Sequence, residues 1–141
     1  MRFMVMIKAT PETEAGDMPS TEAISAMQAY NEELVKAGVL LAADGLHASS
    51  KGARVRFAGG TTSVFDGPFT EAKELVAGFW IIQARSREEA LEWVKRVPHS
   101  PDEEFEVEVR QVFEADEFGD AATPEIVETD RRHRAEVEKN R

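Results

Sequence analysis

The 141-residue chain contains no cysteine, only three histidines and no apolar run long enough to cross a membrane. Without cysteine the protein cannot form a disulfide, a thiol nucleophile or a Cys-ligated zinc site. A membrane-spanning helix needs roughly 18 or more consecutive apolar residues, and the N-terminus does not have a signal-peptide pattern. We therefore expect a cytoplasmic protein without a membrane partner.

The chain also has few basic residues and no recognisable cofactor-binding motif. The chain has 17 basic against 27 acidic residues, a formal net charge of −10, which disfavours nucleic-acid binding because acidic surfaces repel phosphates. The histidines, at positions 47, 99 and 133, do not have metal-ligand spacing. Gly59-Gly60 reads as a hairpin turn rather than a phosphate-binding loop. No cofactor or metal is predicted.

The apolar periodicities predict six main elements in the order β-α-β-β-α-β. Ser20 and Ser86 are predicted helix N-caps, and Gly38 and Pro98 end the two helices. The predicted strands cover residues 2–8, 39–46, 76–84 and 105–113, and the helices cover 21–37 and 87–97. This order predicts an α+β, ferredoxin-like domain over residues 1–113, with a hairpin inserted at 54–65.

The remaining residues, 114–141, form a charged tail beyond the last predicted core strand. Pro124–Lys139 has a helical pattern, but its bulky apolar residues are few. The carboxylate-rich stretches and the basic cluster around Arg132 are interpreted as solvated surface. The tail is therefore predicted to be dispensable for folding of the domain.

Two predicted strands are apolar on both faces, which is unusual for a sheet covered by helices on one side only. In residues 3–7 and 76–82 both alternating sets are apolar, whereas a strand with one wet face alternates apolar and polar residues. A second copy of the same sheet is the simplest cover for the other face. We therefore predict a homodimer packed sheet against sheet.

The run Asp66-Gly67-Pro68-Phe69, followed by Glu71 and Lys73, is the most distinctive motif. Asp, Gly and Pro are strong turn formers, so the run is either a rigid loop that binds a ligand or a structural turn without a binding role. Asp66 is a candidate proton carrier, and its alternative role is an Asx-turn cap. Glu71 and Lys73 can line a cleft or form a solvated pair. With Phe69 they are the candidate ligand-binding residues of the motif.

This run resembles the signature of the YCII-related family, in its DGPF branch. Further agreement comes from Asn31-Glu32-Glu33-Leu34, Ala37-Gly38-Val39-Leu40, Asp44-Gly45-Leu46 and the Glu71-x-Lys73-Glu74-x3-Gly78 spacing. The resemblance covers about residues 1–113. It implies a ferredoxin-like protomer that forms a dimeric α+β barrel, related to muconolactone-isomerase-like and dehalogenating barrel proteins.

The catalytic pair that the resemblance implies for the main YCII branch does not transfer to this chain. That pair is a His on the first helix and an Asp after the second helix. Residues 21–37 contain no His, and the stretch Arg96-Val97-Pro98-His99 contains no Asp. Asp66 is the one motif carboxylate that maps onto the DGPF branch.

Two further residues are candidate site residues because of their positions at or near strand ends. His47 follows the second strand, where it can reach a cleft and titrate near neutral pH, or lie in an exposed loop. Arg110 lies on the last strand, where it can anchor a carboxylate or be exposed at the strand end. Two functions stay open: a cofactor-free small-molecule enzyme using acid–base chemistry on an anionic or carbonyl-bearing metabolite, and a non-catalytic ligand-binding or regulatory module.

Overall fold

The computed structural model describes all residues from Met1 to Arg141, which divide into two compact units, 1–111 and 112–141. The first unit contains six strands and three helices. The strands are β1 Arg2–Lys8, β2 Leu40–Gly45, β3 Ala53–Ala58, β4 Thr61–Asp66, β5 Val76–Gln83 and β6 Val107–Gln111. The helices are α1 Pro11–Glu14, α2 Thr21–Lys36 and α3 Arg87–Val94. No helix of either unit is both long and apolar enough to cross a membrane.

Four strands form one antiparallel sheet in the order β2-β5-β1-β6. The pair β3 and β4 forms a separate two-stranded sheet. The protein is thus α+β with antiparallel sheets, as the periodicities predict. Along the chain, the four strands of the main sheet and helices α2 and α3 follow the predicted β-α-β-β-α-β order, with the hairpin between β2 and β5.

Helix boundaries follow the predicted capping residues closely. The Ser20 hydroxyl accepts a hydrogen bond from the Ala23 N–H at 3.1 Å, and Gly38 takes the positive φ that ends α2. The Ser86 hydroxyl accepts from the Glu89 N–H at 3.1 Å. The Glu89 carboxylate accepts a hydrogen bond from the Arg85 N–H at 3.3 Å. In a capping box it would accept from the N–H of the N-cap residue, Ser86. Helix α3 ends at Val94, three residues before the predicted end.

One face of the main sheet packs against α2 and α3. The largest fully buried side chains of this core are Phe3, Val5, Leu34 and Ile82. Two buried aromatic residues also satisfy their polar atoms: the Trp80 ring N–H donates to Asn31 Oδ1 at 2.7 Å, and the Tyr30 hydroxyl donates to the Trp93 carbonyl at 2.9 Å. Burial raises the pKa of Tyr30 to about 12, so its hydroxyl stays a neutral donor.

The face of the main sheet turned away from α2 and α3 is here called the outer face. Side chains that share a cross-strand row lie on the same face, and this face carries Ala42, Asp44, Phe79, Ile81, Met4, Met6, Glu108 and Arg110. Its centre is apolar and half-buried, and its β6 edge is charged. Lys8 contacts Glu108 there in an ion pair of 3.2 Å.

The second unit contains a 3₁₀ segment, Ala115–Ala121, and helix α4, Pro124–Lys139. The Thr123 hydroxyl caps α4 by accepting from the Ile126 N–H at 3.3 Å. The helix has no buried residue, and Phe113 stacks on Phe118 with ring centroids 4.9 Å apart. The helix agrees with the pattern read from the sequence.

A chain that ends after Ala115 is expected to keep its thermal midpoint within a few degrees, because residues 1–111 contain the complete main sheet and its buried core. Differential scanning calorimetry of the full and shortened chains measures the difference. A fall of about 10 °C or more would contradict the prediction and mean that the tail stabilises the domain.

Candidate functional site

The Asp66–Phe69 turn packs closely against the segment that follows β2. The Gly67 N–H donates to the Gly52 carbonyl at 3.0 Å, and the Gly67–Pro68 peptide bond is cis. A Cβ atom placed on Gly67 would lie 1.8 Å from the Ser49 carbonyl oxygen, a distance that no real Cβ contact shows. The glycine of the motif is therefore required by this close approach of two backbones.

Ser49 joins three segments of the chain that are distant in sequence. Its hydroxyl accepts a hydrogen bond from the Phe69 N–H at 2.9 Å and donates one to Glu14 Oε1. Its own N–H donates to Glu14 Oε2 at 3.0 Å. We call Glu14, Ser49, Gly52, Gly67 and Phe69 the loop junction. Through it the end of α1, the segment after β2 and the motif turn are fixed to each other.

Phe69 has a structural contact that the sequence does not show. The Arg54 guanidinium lies over the Phe69 ring at 3.8 Å from its centroid, a favourable cation–π arrangement. Arg54 belongs to β3, so this contact attaches the base of the β3–β4 hairpin to the motif turn. The ring is half-buried. Phe69 thus stabilises the turn whether or not it also contacts a ligand.

The hydrogen bonds from Ser49 stabilise the charged form of Glu14. The Ser49 hydroxyl, and after it the Ser49 backbone N–H, lower the pKa of the Glu14 carboxyl below its ordinary value of 4.5. A carboxyl whose pKa is lower in the folded state stabilises the fold above its unfolded pKa. That contribution is lost as the pH falls through the folded-state pKa.

Glu14→Gln is therefore expected to lower the stability at about pH 7 and to lower it less at about pH 3, because the contribution of the charged carboxyl declines below the unfolded-state pKa and is lost as the pH falls through the folded-state pKa. Urea unfolding of the two proteins at several pH values measures this difference. Glu12, which makes no hydrogen bond to Ser49, provides the matched control Glu12→Gln. An equal loss of stability at both pH values would contradict a role for the Glu14 charge.

Gly67→Ala is expected to destabilise the protein by about 1–3 kcal/mol, since the turn and the Ser49 segment must move apart to admit the methyl group. Gly52→Ala is a control in the same loop: its added Cβ would lie 3.5 Å from the Ser49 carbonyl oxygen, an ordinary contact. Its φ of −108° also suits alanine. Chemical denaturation measures both variants, and equal effects would contradict the steric argument.

Asp66 is the last residue of β4, and its side chain is exposed. No hydrogen bond of the turn and no ion pair involves its carboxylate, so the Asx-turn cap considered for Asp66 is not formed in this structure. The turn is held instead by the Gly52 carbonyl and the Ser49 hydroxyl. The Asp66 carboxylate is thus not used in holding the turn.

The other candidate residues of the motif region are also exposed. His47 lies two residues before Ser49, on the segment that the Leu46 N–H attaches to the Ala77 carbonyl at 2.8 Å. Glu71 occupies the N-cap position of a 3₁₀ turn, residues 72–74, that contains Lys73, but its side chain makes no capping hydrogen bond. The loop junction therefore holds the backbone segments carrying Asp66 and His47 together, and the Glu71–Lys73 turn follows directly on the motif turn.

Arg110 lies apart from this group within one protomer. Arg110 is on β6, opposite Met4, at one edge of the sheet. The loop-junction residues Ser49 and Gly52 come directly after β2, which is the strand at the other edge. Three strand spacings, about 14 Å, separate the two edges. The predicted site residues thus form two groups: one at or beside the loop junction, and Arg110 on the outer face.

Two cavities in the first unit lie along α3 and β6 rather than at the motif turn. One, of about 320 Å³, is lined by Val94, Val97, Phe105 and Val107, with Lys95, His99, Glu103 and Glu104 also bordering it. The other, of about 290 Å³, is lined by Phe3, Arg87, Leu91, Val107, Val109 and Gln111. No three His, Asp or Glu side chains of the chain are grouped so that they could hold a metal ion.

The sequence model of the YCII-related domain matches residues 1–116. This chain belongs to the YCII-related family. Among similar proteins, an uncharacterized protein of Rhizobium meliloti (strain 1021) is 33% identical over 84 residues, which cover 60% of this chain and 68% of the relative.

A solved structure is similar to this YCII-related protein at a low level. It is the 5-chloro-2-hydroxyhydroquinone dehydrochlorinase from Burkholderia phenoliruptrix AC1100, in complex with 2,5-dihydroxybenzoquinone. The identity is 18%, the TM-score is 0.43, and the match covers 80% of this chain and 94% of the other. A likeness at this level says nothing about the chemistry of this chain.

Three residues of the loop junction, Glu14, Ser49 and Gly52, were not predicted from the sequence of this YCII-related protein. Glu14 and Ser49 lie 35 residues apart, so no local pattern relates them. A weaker signal was available for Glu14. Thr10-Pro11 has the N-cap and N1 pattern of a helix start, and α1, which is not among the predicted helices, begins there.

Proposed function

We propose that this YCII-related protein is a small-molecule enzyme that performs acid–base chemistry on an anionic or carbonyl-bearing metabolite. In this proposal the site lies at the loop junction, and Asp66 carries the proton. His47, on the neighbouring segment, is the second acid–base group. Lys73 and Glu71 bind polar groups of the substrate, and Phe69 supplies an apolar surface. No resident cofactor is required for this chemistry.

The observation that carries the proposal is the freedom of the Asp66 carboxylate. A turn residue with a structural role uses its side chain to bond nearby backbone groups. Asp66 does not, because the Gly52 carbonyl and the Ser49 hydroxyl hold the turn. A carboxylate on a rigid support, without a structural partner, is free to accept a proton from a substrate bound beside it.

The loop junction supplies the rigidity that such a site requires. Catalytic groups must be held within a fraction of an ångström, and loops do this only when other contacts fix them. Here three chain segments meet at Ser49, and the Arg54–Phe69 contact fixes the hairpin base as well. The Ser49 hydrogen bonds that lower the pKa of Glu14 also hold its carboxylate in place.

We further propose that the protomer is ferredoxin-like, belongs to the DGPF branch and forms a dimeric α+β barrel through the outer face. The strand order β2-β5-β1-β6 and the packing of α2 and α3 on one face of the sheet support the first part. The apolar centre of the outer face, formed by Met4, Met6, Phe79 and Ile81, supports the second. In such a dimer Arg110 lies at the rim between the sheets, where it can anchor a carboxylate.

The alternative function, a non-catalytic ligand-binding module, is favoured by a different observation. Both cavities lie along α3 and β6, away from Asp66. A ligand bound there would contact His99 or Arg87 rather than the motif turn. The two proposals thus predict different binding surfaces on the same protein.

A metabolite screen with the wild-type protein, Asp66→Asn and His47→Gln tests the proposed enzyme. We expect at least one small carboxylate or carbonyl compound to be consumed by the wild type and not by Asp66→Asn. Consumption at equal rates by all three proteins would contradict the assignment of Asp66 and His47. Binding without consumption would favour the module.

A further inference from the structure

The two edges of the outer face carry unpaired charges of opposite sign. Asp44, on the edge strand β2, pairs across the sheet with Phe79, and Arg110, on the edge strand β6, pairs with Met4. Phe79 and Met4 lie on the outer face, so the side chains of Asp44 and Arg110 lie there as well. Both residues are exposed, and neither side chain makes a hydrogen bond or an ion pair within one copy.

The remaining charge on the β6 edge is already balanced. Glu108 lies on the same strand and face as Arg110, but Lys8 contacts its carboxylate at 3.2 Å. The net charge of the outer face is therefore negative at the β2 edge and positive at the β6 edge. The two edges lie about 14 Å apart across the apolar centre, too far for Asp44 and Arg110 of one copy to meet.

These charges distinguish the two ways in which two outer faces can pack with aligned strands. The two-fold axis of such a dimer runs either across the strands or along them. An axis across the strands brings the two acidic edges together, and likewise the two basic edges. An axis along the strands places β2 of each copy on β6 of the other, so opposite charges meet at both edges. Because like charges disfavour an interface, the axis along the strands is favoured.

We propose that Arg110 of each copy pairs with Asp44 of the other copy and completes the candidate site there. The rows of Asp44 and Arg110 are neighbours on the outer face, about 7 Å apart along the strands. Packed sheets lie about 10 Å apart, and side chains from the two faces interdigitate across this space. The long arginine side chain can therefore reach the facing carboxylate.

This pairing, which rests on the proposed function, brings the two groups of site residues together. Within one copy, Arg110 is on the edge strand farthest from the loop junction. Across the interface it lies beside Asp44, three residues before His47 on the strand that leads into Ser49. Asp44 is then a positioning residue that occupies part of the guanidinium, whose other N–H groups can bind a carboxylate. The ligand class is a small carboxylate with a second group that reaches Asp66.

Charge reversal tests the pairing without any ligand. Asp44→Arg is expected to raise the dimer dissociation constant about tenfold or more, because two symmetric pairs become two repulsive contacts. Arg110→Asp should have a similar effect, and combining both changes should restore the constant to within about threefold of the wild type. Glu88→Arg makes the same change of charge on the exposed surface of α3 and is the control.

Sedimentation equilibrium measures these four variants against the wild type. No restoration in the combined variant, or an equal effect of Glu88→Arg, would overturn the pairing of Asp44 with Arg110. A wild-type protein that stays monomeric at every accessible concentration would overturn it together with the outer-face dimer.

Single cysteines report which strands face each other, because the chain contains no other cysteine. Ala42 lies on the β2 edge of the outer face, and Glu108 lies on the β6 edge. A short bismaleimide added to a mixture of Ala42→Cys and Glu108→Cys is expected to join position 42 to position 108, and to join neither variant to itself. Links between two copies of position 42, or no links in a dimeric protein, would overturn the proposal.

Mixed dimers test whether the site is shared between copies, with benzoate as the probe and the amide shifts of residues 46–52 as the signal. ¹⁵N-labelled wild type mixed with excess unlabelled Arg110→Gln should lose the benzoate shifts, although the labelled chain keeps its own Arg110. ¹⁵N-labelled Arg110→Gln mixed with excess unlabelled wild type should retain them. The reverse pattern would mean that Arg110 acts within its own chain and would overturn the shared site.

The shared site and the proposed function can fail separately. Benzoate shifts in residues 46–52 that are the same in every mixture would leave the proposed site standing and overturn the contribution of Arg110. The absence of shifts in the wild type would overturn the carboxylate site of the loop junction and its completion by Arg110 together.

Discussion

Phe79→Glu is expected to convert a dimer into folded monomers. Phe79 lies on the outer face between Asp44 and Met6, so it does not contribute to the core under α2 and α3. A carboxylate at the centre of two packed sheets is desolvated and unpaired, which costs several kcal/mol. Sedimentation equilibrium should give about twice 15.7 kDa for the wild type and 15.7 kDa for the variant.

The neighbouring residue provides the control. Trp80 is only 4% exposed and donates to Asn31 within the core, so Trp80→Glu should unfold the protein rather than separate the copies. Circular dichroism distinguishes the two results. A monomeric wild type, or a Phe79→Glu variant that stays dimeric, would contradict the outer-face interface.

Asp66→Asn is expected to lower the turnover of any substrate found for this protein by about 10²–10⁴-fold, the usual contribution of a general acid or base. Its stability should change by less than about 0.5 kcal/mol, because the Asp66 carboxylate makes no hydrogen bond that asparagine would lose. Asp66→Ala should be equally harmless to stability. Kinetic assays and urea unfolding of the three proteins measure both quantities.

This pair of variants separates function from structure. A loss of about 1 kcal/mol in Asp66→Ala that Asp66→Asn does not show would mean that Asp66 caps the turn after all. Unchanged turnover in Asp66→Asn would transfer the proton-carrier role to His47 or to a group not yet identified. A large loss of turnover with unchanged stability is the result that the account predicts.

Much of the fold could be predicted because its signals are local. Ser20, Gly38 and Ser86 mark helix ends by hydrogen bonds and φ preferences that act within a few residues. The paired glycines, Gly59 and Gly60, likewise predict the tip of the hairpin. Alternation did not show which apolar set of residues 3–7 faces the helices, and the structure places Phe3 and Val5 in the core.

The candidate site could be predicted only in part, because its structure depends on contacts between distant residues. The motif turn was recognised, but the reason for its glycine is the Ser49 carbonyl, and the reason for its Phe includes Arg54. The capping role considered for Asp66 assumed that hydrogen bonds within the turn stabilise it. Sequence spacing could not show that Ser49 and Gly52 hold it instead.

The most direct test of the central claim is to locate where small ligands bind. Amide chemical shifts of ¹⁵N-labelled protein, recorded while a set of small carboxylates and carbonyl compounds is added, map the binding surface. A site at the motif turn predicts saturable shifts in residues 46–52 and 66–73, with weaker or absent shifts in Asp66→Asn. Shifts confined to the cavity residues Val94, Val97 and His99, unchanged in Asp66→Asn, would contradict it.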